Sequence, residues 1–194
     1  MPTRVKEEIL EARTHYRSKL RTIKETICKL ETAHVDQHDA ERAGIQQRSM
    51  SLESKSGKPF FFIPYQEEYV LSIDRDFPIY DRDVENPGVP HEPLPHMKCL
   101  MESDVIGDDR LLRGELIAII EIMTARLNTN SLRPHTVAPV MVYALMGPQH
   151  LRVLEAYFDG KNLIIGQTKL YDMRQGNTIT IELTYPMVVG FCCR

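Results

Sequence analysis

Acidic side chains and one lysine in the second half of the chain follow the order that metal-dependent cleavage of a phosphodiester requires. In such a site two or three carboxylates hold Mg²⁺, and a lysine orients the attacking water. The candidates, in chain order, are Glu115 or Glu121 on a helix, Glu155 or Asp159 on a strand, and Gln167 and Lys169 on a later strand. Because a glutamine stands where a further acid is expected, the pattern indicates at most a degenerate nuclease.

A structural interpretation of the same residues is simpler. Asp159 precedes Gly160, and Asp-Gly pairs form tight turns without any catalytic role. After residue 58 the chain holds 12 Lys and Arg against 18 Asp and Glu, whereas residues 1–58 hold 12 against 9. An acidic domain repels a phosphate backbone. We therefore expect a non-catalytic protein without a nucleic-acid partner, and keep a degenerate metal-dependent nuclease of restriction-enzyme-like fold as the alternative.

Histidines and cysteines do not form a recognisable metal or nucleophile motif. His34 and His38 have the i, i+4 spacing that can chelate Zn²⁺ on a helix, but no third ligand lies nearby in the sequence. The four cysteines share no metal-type spacing: Cys28, Cys99, Cys192 and Cys193. Neither a phosphate-binding glycine loop nor a serine nucleophile motif is present. The sequence predicts no cofactor and no metal.

The elements that would position these residues are clearest between residues 137 and 173. Runs rich in Val, Leu, Ile and Tyr are separated by Gly147-Pro148 and Asp159-Gly160, a pattern typical of a three-stranded meander. An apolar helix is predicted before it, from Asp108 or Asp109 to Asn128. The expected fold class is α+β, with one buried helix packed against an antiparallel β-meander.

The N-terminal region, residues 3–43, contains neither glycine nor proline and predicts one long helix. Its apolar positions recur at gaps of about seven, four and three residues, as in a short heptad seam. The seam residues are Ile9, Tyr16, Leu20, Ile23, Ile27 and Leu30. They predict either self-association as a coiled coil or a helix that folds back onto its own domain.

Composition also suggests the boundaries between these parts. Residues 44–58 are rich in Ser, Gln and Lys and predict a flexible linker between an arm at 1–43 and a domain at 59–194. The segment 59–65 is strongly apolar, and prolines concentrate between 77 and 97, where we expect an extended loop within that domain.

The segment PVMVYALMGPQHLRVLEAYFDGKNLIIGQTKLYDM resembles the C-terminal domain of a family of proteins from filamentous fungi. In that family, as here, a charged helical N-terminal region precedes a helix and a meander that ends in Leu-Tyr-Asp. The resemblance implies an intracellular fungal protein, and it brings with it no activity, ligand or catalytic residue.

Taken together, these patterns predict an interaction or scaffold protein that self-associates through its N-terminal helix. The charged N-terminus lacks a secretory apolar stretch, and no apolar run reaches the length of a membrane span. We therefore expect an intracellular protein, cytoplasmic or nuclear, that makes homo-oligomers and has no membrane partner. The identity of any protein partner stays open.

Overall fold

A computed structural model of the chain describes residues 3–53, 57–62 and 94–174. These residues form an α+β fold with a long N-terminal helix, as the sequence predicts. The helices are α1 (Thr3–Cys28), α2 (Gln37–Ala43) and α3 (Arg113–Asn128), and a 3₁₀ turn follows at Asn130–Leu132. The strands are β1 (His34–Val35), β2 (Ile45–Ser49), β3 (Met97–Ile106), β4 (Leu111–Leu112), β5 (Val140–Gly147), β6 (His150–Phe158), β7 (Leu163–Gln167) and β8 (Tyr171–Asp172).

The main sheet is built around the predicted meander. Strands β5, β6 and β7 pair antiparallel in sequence order, and the hairpin turn lies at Asp159-Gly160, where Gly160 has a φ of 100°. Strand β2 adds to β7 and strand β3 adds to β5, both in parallel, which gives the order β2-β7-β6-β5-β3. The short strand β8 also pairs with the start of β6. The sheet is therefore mixed, and among the described strands β2 and β3 are its edges.

Helices cover one face of this sheet. Alternate residues of β6, such as Leu154 and Ala156, join the core beneath α1 and α3, and the intervening residues face the other side. On that second face Val153 packs with Phe62 and Tyr171 in a smaller apolar cluster. We call these the helix face and the second face of the sheet. This alternation decides which of the candidate site residues can meet.

Three predictions at element boundaries were wrong. The predicted helix over 3–43 is interrupted between Cys28 and Gln37, because β1 pairs with β4 and the backbone N–H of Arg113 donates to the carbonyl of Ala33. The predicted linker contains β2, so residues 45–49 belong to the sheet. Helix α3 begins at Arg113 rather than at Asp108, although it ends at Asn128 as predicted.

Residues 63–93, which hold most of the predicted proline-rich loop, lie outside the described residues, as do Cys192 and Cys193. The last part of that predicted loop, residues 94–96, has no regular structure, and β3 starts at Met97. Among the residues that the structure describes, none of the helices combines the length and the apolar character needed to cross a membrane.

Candidate functional site

Glu115, the predicted helix acid, is fully engaged in a buried structural role. Its side chain is 1% exposed and pairs with the guanidinium of Arg152, which is 0% exposed, through an Nε–Oε1 contact of 2.9 Å and a second contact from Nη2 to Oε2. Glu115 Oε2 also accepts the backbone N–H of Leu112 at 2.8 Å and so caps α3. The remaining donor of Arg152 binds the carbonyls of Asp108 and Arg110. The buried pair of Glu115 and Arg152 therefore holds the segment before α3 against β6.

Glu155, the predicted strand acid, lies three residues after Arg152 and so on the opposite face of the sheet. Its two carboxylate oxygens accept the backbone N–H groups of Phe60 and Phe61, each at 2.8 Å. Burial raises the pKa of Glu155, and the backbone N–H donors partly offset this rise because they favour the ionised form. The carboxylate holds the segment around Phe61 against the second face.

The other nuclease candidates are also occupied elsewhere. Asp159 Oδ1 accepts the backbone N–H groups of Lys161 and Asn162 within the hairpin turn. Gln167 donates to the carbonyl of Asp109, and Lys169 pairs with Glu53 at 2.8 Å. Glu121 contacts Lys24 of α1 at the protein surface.

The structure therefore does not bring the candidate acids together at one metal position. Glu115 and Glu155 are separated by the sheet itself, and Asp159 lies at the hairpin end of β6. A two-carboxylate metal site needs its oxygens within about 4 Å of one another around the ion. The resemblance to a nuclease arrangement lies in the order of the residues along the chain and not in their geometry.

The predicted histidine pair is divided between two elements. His34 lies in β1 and its Nε2 contacts the carbonyl of Ile106 at 2.9 Å, whereas His38 lies in α2. The potential ligand atoms of His38, Asp36 and Asp39 fall within 4.8 Å of one another. However, Asp36 caps α2 by accepting the N–H of Asp39, and Asp39 pairs with Arg42. The cap of α2 and this surface ion pair are enough to explain why Asp36 and Asp39 lie close together.

Most of the predicted coiled-coil seam packs inside the chain, whereas Ile9 is half-buried and lies outside the core cluster. Leu20, Ile23 and Ile27 are buried in the core with α3, and Tyr16 and Leu30 pack against its margin. On the same helix, buried Arg13 donates to the carbonyl of Leu127 at the C-terminal end of α3 and to that of Leu132 in the 3₁₀ turn that follows. This is the folded-back alternative, so self-association through the same side chains would require α1 to leave its own domain.

An open edge of the sheet is the feature that the sequence interpretation missed. The backbone N–H of Met97 donates to the carbonyl of Pro139 beside β5, so by alternation the backbone groups of Leu100 and Glu102 point away from the sheet. In the part of the chain that the structure describes, β3 pairs with β5 along one edge, and no described strand pairs with its other edge. A row of unpaired N–H and C=O groups is a template for a further strand.

The side chains along this edge include exposed apolar groups, which edge strands usually avoid. Leu100 is 69% exposed, and Ile106 at the end of the strand and Leu94, three residues before its start, are also exposed. Lys98, Leu100 and Glu102 project from the second face in the order cation, apolar, anion. We call these three residues the β3 edge triplet. Read in opposite directions, two copies of the triplet match, since each cation meets an anion and leucine meets leucine.

Comparisons with known proteins found no match for this chain. No family model matches the chain, and no match was found among curated proteins or among solved structures. The predicted relationship to fungal proteins therefore stays a prediction.

Proposed function

We propose that this protein is a non-catalytic scaffold that self-associates through the outer edge of β3. The observation that supports the proposal is the outer edge of β3, where Leu100 is 69% exposed and the backbone groups of Leu100 and Glu102 point away from β5. Self-association was expected from the sequence, and burial of Leu20, Ile23 and Ile27 in the chain's own core favours an interface outside the α1 seam.

The proposed interface is an antiparallel pair of β3 strands with Leu100 on the two-fold axis. In this register Lys98 of one protomer lies opposite Glu102 of the other, and the same contact recurs on the far side of the axis. Because all three residues direct their backbone groups outward, each pair exchanges backbone hydrogen bonds. Two sheets would thereby join into one continuous sheet across the dimer.

Charge complementarity favours this register over those centred on Glu102 or Ser103. Centring the axis on Glu102 would place two carboxylates face to face, and centring it on Ser103 would oppose Glu102 and Asp104. Directly opposed like charges destabilise a strand pair, whereas opposed unlike charges contribute about 0.2–1 kcal/mol each. The leucine-centred register pairs both charges of the triplet and buries Leu100, which is 69% exposed in the single chain.

The first test is the oligomeric state measured by sedimentation velocity between about 10 and 100 µM, the range in which a modest interface forms. We expect wild type to dimerise and Leu100→Lys to be monomeric, because lysines would face each other on the axis. The matched control is Leu10→Lys, since Leu10 is likewise exposed, at 58%, but lies on α1. A dimer abolished by the control and retained by Leu100→Lys would contradict the proposal and return the interface to α1.

The nuclease alternative receives no comparable support. Its two central acids, Glu115 and Glu155, face opposite sides of the sheet, and each is already bound by groups of the fold. We therefore do not propose a catalytic function.

A further inference from the structure

A cavity of about 250 Å³ that opens broadly to solvent lies beside the start of β3, apart from the β3 edge triplet. The histidines His96 and His135, the ring of Phe61 and three prolines contribute to its wall, the prolines being Pro95, Pro134 and Pro139. A cavity of about 150 Å³ with apolar walls can accommodate benzene. This cavity is therefore large enough for a substituted aromatic ring.

His96 is the unusual member of this wall. It is 7% exposed, and neither of its ring nitrogens has a hydrogen-bond partner among the described residues. Its ring packs against Phe61 with centroids 5.9 Å apart and edge-on against Phe62 at 5.6 Å. Buried polar groups are nearly always hydrogen-bonded, because an unsatisfied one costs about 1–3 kcal/mol. A histidine retained here without a partner indicates a ligand that supplies one.

The surroundings of His96 keep its imidazole neutral. Burial lowers the pKa of His96, and the nearby positive charges of His135 and Arg126 lower it further. A neutral imidazole has one N–H donor and one acceptor nitrogen. Rotation of the ring by 180° exchanges each nitrogen with a carbon in nearly the same space, so a nitrogen can be presented to the cavity. His135 Nε2 is a second buried nitrogen without a partner.

We propose that this cavity binds a small uncharged aromatic molecule that carries a ring N–H or a hydroxyl group. Proline and phenylalanine surfaces accept the flat faces of such a ring, and the acceptor nitrogen of His96 receives its polar hydrogen. An uncharged ligand is sufficient here, because a neutral His96 needs only a hydrogen-bond donor for its acceptor nitrogen.

A transition-metal ion fits the wall less well. Zinc takes three or four protein ligands, and among the described residues that line the cavity there are two histidines and neither a thiol nor a carboxylate. Histidine ligands of metals also donate their second ring nitrogen to a supporting acceptor, and His96 has none within the described part of the chain. Binding of a metal ion in this cavity would therefore contradict the proposal.

Indole is a suitable probe, since the chain contains no tryptophan and indole fluorescence reports the probe alone. We expect saturable binding to the full-length protein with a Kd of about 0.1–1 mM, a range appropriate for nine non-hydrogen atoms. 1-Methylindole, which lacks the N–H, should bind about tenfold more weakly. In His96→Phe, which keeps the ring contacts with Phe61 and Phe62, this tenfold preference should disappear. His38→Ala, which changes an exposed histidine, is the control and should bind like wild type.

Histidine Cε1–H resonances of the wild-type protein give a second measurement that does not depend on the folding of a variant. Saturating indole should shift two of them, those of His96 and His135, and leave the resonance of His38 unchanged. The proposal is contradicted if indole fails to bind, if indole and 1-methylindole bind equally to wild type, or if Zn²⁺ alone shifts the same two resonances at stoichiometric concentration.

Discussion

The buried pair of Arg152 and Glu115 allows the largest single effect on stability to be derived from the structure. Replacing Arg152 with methionine keeps a long side chain but leaves the carboxylate of Glu115 buried without its cation, and the carbonyls of Asp108 and Arg110 lose a donor. Breaking a buried pair by removing one partner costs about 3–5 kcal/mol. Since the free energy of unfolding of a domain is about 5–15 kcal/mol, Arg152→Met should lose a large part of the stability of the protein.

Urea unfolding followed by circular dichroism measures this loss. With a slope of about 2 kcal/mol per molar urea, the midpoint should fall by about 1.5–2.5 M. Arg42→Met removes an exposed pair with Asp39 and should cost no more than about 1 kcal/mol. Arg152→Lys keeps the positive charge but loses the bidentate contact with Glu115, so its urea midpoint should lie between those of the other two variants. If Arg152→Met unfolds at the same urea concentration as Arg42→Met, the structural role assigned to this pair is refuted.

Three further predictions follow from the same packing. Gly160→Val should destabilise the protein by about 2 kcal/mol, because Gly160 has a φ of 100° and an added Cβ would lie 3.0 Å from Tyr16 Oη; an unchanged melting temperature would show that the turn tolerates a side chain. Ile23→Lys should lower the stability of the whole domain by at least about 3 kcal/mol, because it removes a buried apolar side chain and places a charge in the core. Dissociation of an oligomer without loss of stability in that variant would instead support the coiled coil. Purified protein should not cleave DNA or RNA with Mg²⁺, since Glu115 and Glu155 lie on opposite faces; cleavage that disappears in Lys169→Ala would contradict this prediction.

Local patterns were enough to predict the centre of the fold. The meander, the Asp159-Gly160 turn and the apolar stripe of α3 depend on neighbouring residues, and the structure confirms them. Strands β2 and β3 were missed because each joins the sheet in parallel with a strand distant in sequence. Strand β2 is polar after Ile45, and β3 mixes apolar and charged residues without strict alternation, so periodicity gave little signal.

The candidate site illustrates the same limit. Glu115 was selected for its residue type, but its partner Arg152 was not, because nothing in the spacing connects a helix acid with a cation 37 residues later. The alternation of β6 would have placed Arg152 and Glu155 on opposite faces once the strand had been predicted. The β3 edge triplet is visible in the sequence as Lys98, Leu100 and Glu102, but its meaning depends on knowing that β3 is an edge.

A charge-exchange experiment tests self-association through β3 most directly. Lys98→Glu and Glu102→Lys should each place like charges opposite each other twice in the dimer, which weakens it by about 2 kcal/mol, or roughly 30-fold in Kd. An equimolar mixture of the two variants should dimerise about as well as wild type, because each variant then supplies the charges that the other needs. Sedimentation velocity of the two variants alone and mixed gives the answer. If the mixture associates no better than either variant alone, or if both variants alone associate like wild type, the proposed interface is wrong.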